Sequence, residues 1–187
     1  MKKLKTPVVA FLSLGLSLPC VFAAEPAKDS IIKNGTLEED ADSDGWPDHW
    51  PRLKAGGSWE SEKGNHFIRL KSATPGETVL LYHAIPVPEG AKTLRLSWRQ
   101  RITDLKVGAQ PWFDARIMLE FRDAANQKVS GSPGAPNTRK STDGWESKSM
   151  DFVVPEGVAV LAMMPALVQV EAGTFDLDDI ELRMIDP

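Results

Sequence analysis

Two stretches of this chain alternate apolar and polar residues with a period of two. In Thr93–Thr103 (TLRLSWRQRIT), Leu94, Leu96, Trp98 and Ile102 fall on one side, and Arg95, Ser97, Arg99 and Arg101 on the other. In Asp114–Arg122, Ala115, Ile117, Leu119 and Phe121 oppose Asp114, Arg116, Met118, Glu120 and Arg122. Successive side chains of a strand point to opposite faces, so the pattern marks strands with one buried face. Weaker strand candidates are Trp50–Lys54, Phe67–Lys71, Thr78–His83, Lys148–Val153, Val158–Val170 and Thr174–Ile185. Gly, Pro, Asn and Asp cluster between them, at Lys63-Gly64-Asn65, Thr74-Pro75-Gly76, Thr142-Asp143-Gly144 and Pro155-Glu156-Gly157. No long window carries a helical stripe. The pattern predicts an all-β fold of roughly eight to ten strands, an antiparallel β-sandwich or jelly roll.

The start of the chain follows another pattern. Lys2, Lys3 and Lys5 precede an apolar run from Val8 to Leu18, and Val21-Phe22-Ala23-Ala24 suits cleavage after Ala23 or Ala24. The run is too short for a spanning helix, and Pro19 before Cys20 fits a lipid-anchor site poorly. The expected organisation is a cleaved signal peptide over 1–23, a short extension over 24–30 and one domain over 31–187, a length that suits a single core. The product is expected to be exported, periplasmic or extracellular, monomeric and not membrane-inserted after cleavage. Cleavage removes Cys20, the one cysteine of the chain, so the mature protein has no thiol nucleophile, disulfide or Cys-ligated zinc. It also removes three lysines from a chain whose formal charge is already −4, which argues against nucleic acid as a partner.

An acidic loop is the most specific local motif. Asp40, Asp42, Asp44 and Asp48 in DADSDGWPD fall at positions 1, 3, 5 and 9 of a calcium-loop pattern, with Gly45 at 6 and the carbonyl of Trp46 at 7. Alternate carboxylates in a tight loop converge on one hard cation. Position 12 is Pro51 and no helices flank the loop, which departs from an EF-hand, and a calcium-braced turn stands against a solvated acidic turn. Near the other end, FDLDDIELRM places Asp178 at the parity of Ile180, Leu182 and Met184. An inward carboxylate needs a partner or a metal. Glu38 would meet it if the first and last segments pair; otherwise Asp178 lies at an exposed strand start, or a bulge flips the register.

NGTLEEDADSDGWPDHW near the start and GTFDLDDIEL at the end resemble the bracketing motifs of jelly-roll carbohydrate-binding modules of families 4, 9 and 22. The resemblance covers nearly the whole mature chain, through LRLSWRQRI, ARIMLEFRD, Trp145 and FVVPEGV. It implies a structural calcium joining Glu38 to Asp178, and a sugar-binding surface on the concave sheet or at the loop tips. Leu37 stands where the family motif has Phe, and no accompanying glycoside hydrolase domain is present.

The polar sides of the two clear strands supply ligand candidates. Arg99 and Arg101 on one, and Arg116 and Glu120 on the other, would share a sheet face if these strands pair. Planar guanidinium and carboxylate groups suit sugar hydroxyls, or a uronate carboxylate through bidentate contacts; interleaved charges also suit a solvated scaffold. Trp112, between Pro111 and Phe113, is the candidate stacking ring, since adjacent aromatics on a strand cannot both face inward. Trp98 has core parity, and Trp46 and Trp50 flank Pro47 as anchors of the acidic turn. The histidines His49, His66 and His83 stand apart, and no G-x-S-x-G elbow occurs. The expected function is non-catalytic binding of poly- or oligosaccharide, with calcium as a structural cofactor. A cell-surface adhesion module contacting protein, and then a glycan-active enzyme, are the competing readings.

Overall fold

The structure is a computed structural model and describes residues 29–185. The expected signal peptide and most of the short extension lie outside the described residues. Ten strands form two antiparallel sheets: β1 (Gly57–Glu62), β2 (Asn65–Lys71), β3 (Val79–Leu80), β4 (His83–Pro86), β5 (Thr93–Lys106), β6 (Ala115–Arg122), β7 (Asn137–Thr138), β8 (Glu146–Val153), β9 (Val160–Leu167) and β10 (Ala172–Met184). One sheet has the order β1-β2-β10-β5-β8. The other has the order β3-β9-β6-β7, with β4 also pairing β9. Among the described residues there is no helix. The all-β sandwich expected from alternation is the observed architecture.

The core lies between the sheets. Leu94, Leu96, Trp98 and Ile102 of β5 face Ile117, Leu119 and Phe121 of β6, all at 6% exposure or less. Burying side chains of this size stabilises by roughly 1.5–3 kcal/mol each before entropy is counted. The two alternating strands therefore each bury an apolar face, as expected. They do not pair with each other. β5 lies between β10 and β8, and β6 between β9 and β7. The polar sides of β5 and β6 consequently face away from each other on opposite surfaces of the sandwich. Arg116 and Glu120 share no face with Arg99 and Arg101, which corrects the expectation that they could.

Residues 29–56 contain no strand, which corrects the expectation for Trp50–Lys54. Pro47 and Pro51 each lack an amide donor, and Trp50 closes a turn onto the Pro47 carbonyl at 3.3 Å. The segment wraps β10: Ile31 N–H donates to Leu182 O (2.7 Å), and Ile180 N–H to Gly35 O (2.8 Å). Gly35 is required there, because a Cβ would collide with the Ile180 carbonyl oxygen. Asn34 ties the segment together, donating through Nδ2 to Glu39 O and Asp48 O and accepting from Glu39 N–H. Trp46 and Trp50 are buried, and their indoles donate to Trp50 O and Asn34 O. They pin the acidic loop to the sandwich as the sequence suggested.

Candidate functional site

The outer face of the β1-β2-β10-β5-β8 sheet is built around two acids on its central strand. In register, Arg69 and Arg101 flank Asp176, and Arg99 lies opposite Asp178. Asp176 and Asp178 are both 0% exposed although they point away from the core. Asp176 takes the Arg69 guanidinium bidentately (2.6 and 2.8 Å) and accepts from Arg101 at 2.9 Å. Arg101 continues to Glu62 of β1 at 2.7 Å. A charge chain thus runs Arg69–Asp176–Arg101–Glu62 over β2, β10, β5 and β1. Charge-assisted bidentate bonds fix the guanidinium planes. The hydrogen bond to Asp176 raises the Arg69 pKa further above its ordinary value, and the one from Arg101 lowers that of Glu62.

Aromatic rings complete the face. Phe67 of β2 and Trp145, just before β8, meet edge-to-face with centroids 5.3 Å apart. The Arg101 guanidinium lies 5.3 Å from the Phe67 centroid and 4.8 Å from that of Trp145, and Arg99 lies 5.1 Å from Trp145. Phe67 is fully covered by this arrangement, whereas Trp145 stays half-buried.

Asp178 reaches this face through a bulge. The β10–β5 register shifts between Asp178 and Glu181, and Asp179 takes φ 47°. The extra residue returns Ile180 to the core and leaves Asp178 on the outer side, one of the alternatives left open by parity. Its carboxylate accepts from Asn65 Nδ2 at 2.9 Å and from the Asp179 N–H at 2.7 Å. Burial pushes its pKa up to about 6, with the Asn65 bond pulling the other way. Glu38 occupies a neighbouring position with its own partner: its two oxygens take the His66 N–H (2.7 Å) and Nδ1 (2.6 Å).

In the acidic loop, carboxylate oxygens of Asp40, Asp42 and Asp48 lie within 4.8 Å of one another. The Asp44 and Gly45 N–H groups donate to Asp40, and the Ala41 N–H to Asp48. Three converging carboxylate oxygens fit a hard cation. Asp44 turns aside toward Arg52 at 3.6 Å.

The remaining candidates lie elsewhere. Trp112 is 54% exposed on the β5–β6 loop, edge-on to Phe113 at 6.1 Å. On the opposite sheet Arg116 is held bidentately by Asp114 (2.6 and 2.9 Å), and Glu120 pairs with Arg122 and Lys128. Sequence reasoning missed Phe67, Arg69 and Asp176 as site residues, and it left Trp145 unassigned at a strand start. The visible signal was the Asp176–Asp178 spacing: an i, i+2 acid pair on a strand shares a face.

The fold and its face define a jelly-roll sandwich, and comparison with solved structures agrees. The chain resembles a CBM4 module with TM-score 0.53 and 15% identity, covering 81% of this chain and 98% of that one. It resembles a tandem CBM22-1–CBM22-2 domain from Paenibacillus barcinonensis with TM-score 0.51 and 14% identity, covering 88% of this chain and 48% of that one. It also matches the enzymatically active domain of a bacteriophage CBA120 tailspike protein with TM-score 0.61 and 12% identity. There the match covers 83% of this chain but only 21% of the tailspike. No family model and no curated protein matches the sequence.

Proposed function

We propose that the chain is an exported, non-catalytic protein that binds a neutral oligo- or polysaccharide across the outer face of the β10-centred sheet, with calcium bracing its fold. One observation carries the reading: a half-buried indole, Trp145, stands beside two guanidiniums, Arg99 and Arg101, held by acids of β10 of which Asp176 is fully buried. A pyranose offers an apolar C–H face to such a ring and vicinal hydroxyls to planar donors and acceptors. Arg99, Arg101 and Arg69 supply donors, the exposed Glu62 and the half-buried Asp179 supply acceptors, and Trp112 is a second ring at the loop tip. The acids of this face outnumber its arginines, which favours a neutral sugar over a uronate. Arg116 and Glu120 have no part in this site. The solved modules of like fold support the sugar reading: a Clostridium thermocellum xylanase fragment with a CBM22-1 module, TM-score 0.52 and 12% identity over 86% of this chain and 29% of that one, was crystallised with xylohexaose.

Asp40, Asp42 and Asp48 are the residues that would hold calcium in the loop, with Asp44 and the Trp46 carbonyl in support; Glu38 and Asp178 are the candidates for a second ion. A bound ion would cross-link the acidic segment where no disulfide can.

The test is retention of the protein on insoluble xylan, galactan and β-glucan. Wild-type protein is expected to sediment with at least one of them, and Trp145→Ala to stay in solution while keeping its native circular dichroism. Retention of Trp145→Ala equal to wild type would remove the face from the account. Absence of binding to all three would favour the adhesion reading.

A further inference from the structure

The segment that leaves the acidic loop, Pro51–Ala55, faces the link between β3 and β4 across a groove of about 440 Å³. Arg52, Lys54, Leu80 and Tyr82 line it, and no acid does. Leu81 anchors the link: it is buried, and its N–H donates to Pro165 O at 3.0 Å. Adjacent residues of an extended chain point to opposite sides, so Tyr82 turns outward and is 41% exposed. The groove therefore offers open aromatic surface.

Its cations are not neutralised. Among the described residues Lys54 forms no ion pair. Arg52 meets the Asp44 carboxylate at 3.6 Å with both side chains more than half exposed, a pair of little worth. Its guanidinium lies 5.7 Å from the centroid of the buried Trp46 ring, which orients it. The outer face is the opposite case, since Arg69, Arg99 and Arg101 are each held by an acid at 3.0 Å or less. Two cations without a close carboxylate, in a chain of formal charge −4, call for an anion.

We propose that this groove is a second ligand site, which takes a uronate unit of an acidic glycan. Lys54 and Arg52 hold the carboxylate, Arg52 with the planar fork that suits it, and the C–H face of the ring lies on Tyr82. The volume falls at the small end of ligand pockets, which suits a short stretch of sugar. An exposed ring beside the cations favours a sugar over an acidic peptide, whose carboxylates come without such a flat face. None of the groove's residues belongs to the β10-centred sheet, so the proposal does not rest on the reading of that face.

Fluorine NMR tests this, because Tyr82 is the one tyrosine of the chain and fluorotyrosine labelling gives a single signal, in the groove. The probes are digalacturonate, the same disaccharide with both carboxylates methyl-esterified, and a hexaglutamate peptide. Digalacturonate is expected to shift the signal to saturation, and the uncharged ester to bind at least tenfold more weakly. Lys54→Ala and Arg52→Ala should each weaken digalacturonate binding at least fivefold, and Trp145→Ala should leave it unchanged. Lys54 and Arg52 are exposed, so neither variant threatens the fold. No shift with digalacturonate, ester binding as tight as that of the acid, undiminished binding by either groove variant, or loss of binding in Trp145→Ala overturns the proposal. Hexaglutamate binding as tightly as digalacturonate overturns it in favour of an acidic peptide. Loss of polysaccharide retention in Trp145→Ala bears on the outer face alone.

Discussion

The outer faces of the two sheets carry similar side chains and do different things with them. On the β6 strand, Arg116 bonds Asp114 of its own chain segment, and Glu120 is shared by Arg122 and Lys128. The partner strand β9 offers Ala162, Met164 and Ala166 opposite these charges, with no aromatic ring. On the other face, one buried acid, Asp176, holds arginines from two different strands, and those arginines lie on Phe67 and Trp145. Local pairing closes each charge on its own strand. Pairing across strands gives a rigid array of donors around a ring, which is what recognition needs. The position of the acid, on the central strand or on the arginine's own strand, is what separates the two.

Asp176→Ala strikes at that difference most strongly. It leaves two arginines without their common carboxylate, and breaking a buried pair in this way costs about 3–5 kcal/mol. Urea denaturation should show the loss, along with loss of polysaccharide retention. Glu120→Gln on the opposite face, where the acid is half-buried and keeps a neutral hydrogen-bonding side chain, should cost less than Asp176→Ala and leave retention unchanged. Equal losses from the two would erase the distinction.

The second sheet has its own sensitive group, but on the inside. His83 of β4 stacks on Trp50 at 4.6 Å, and burial pushes its pKa down to about 4. A histidine held neutral in the fold takes up its proton more readily when unfolded. Its contribution is therefore fully present above pH 6.5 and is lost as pH falls from there toward 4, by up to about 3 kcal/mol. Stability measured over that window should fall, and His83→Phe should flatten the slope. A wild-type profile matching that of His83→Phe would refute the assignment.

Calcium removal should act first on the acidic loop. Excess chelator should lower the melting temperature by several degrees, since an ion that binds the folded chain alone stabilises it by mass action, and Asp40→Ala should remove the part of the response that belongs to the loop. An unchanged melting curve in chelator rejects both candidate ion sites.

Much of the sandwich was legible because alternation is a local signal. Thr93–Thr103 and Asp114–Arg122 bury the faces their spacing assigns, and Trp98 is a core residue at 4% exposure. Strand partners were not legible. Which strand lies beside β5 is settled by chain topology over separations of some eighty residues, as in the Arg99–Asp179 contact, and no local pattern encodes that. Arg99 and Arg101 were therefore identified correctly as facing outward but set beside the wrong neighbours, Arg116 and Glu120. The bulge at Asp179 rests on one residue at positive φ, an adjustment that a period-two reading cannot contain. Trp50–Lys54 stands among the weaker strand candidates, whereas Pro47 and Pro51 decide for a turn there, with Trp50 as its anchor.

Calorimetric titration of a soluble neutral β-glycan into wild type, Trp145→Ala and Arg116→Ala is the most direct test of the central claim. The account predicts that Trp145→Ala binds at least tenfold more weakly than wild type, while Arg116→Ala binds as wild type does. Full affinity in a folded Trp145→Ala, or loss of binding in Arg116→Ala, would contradict it.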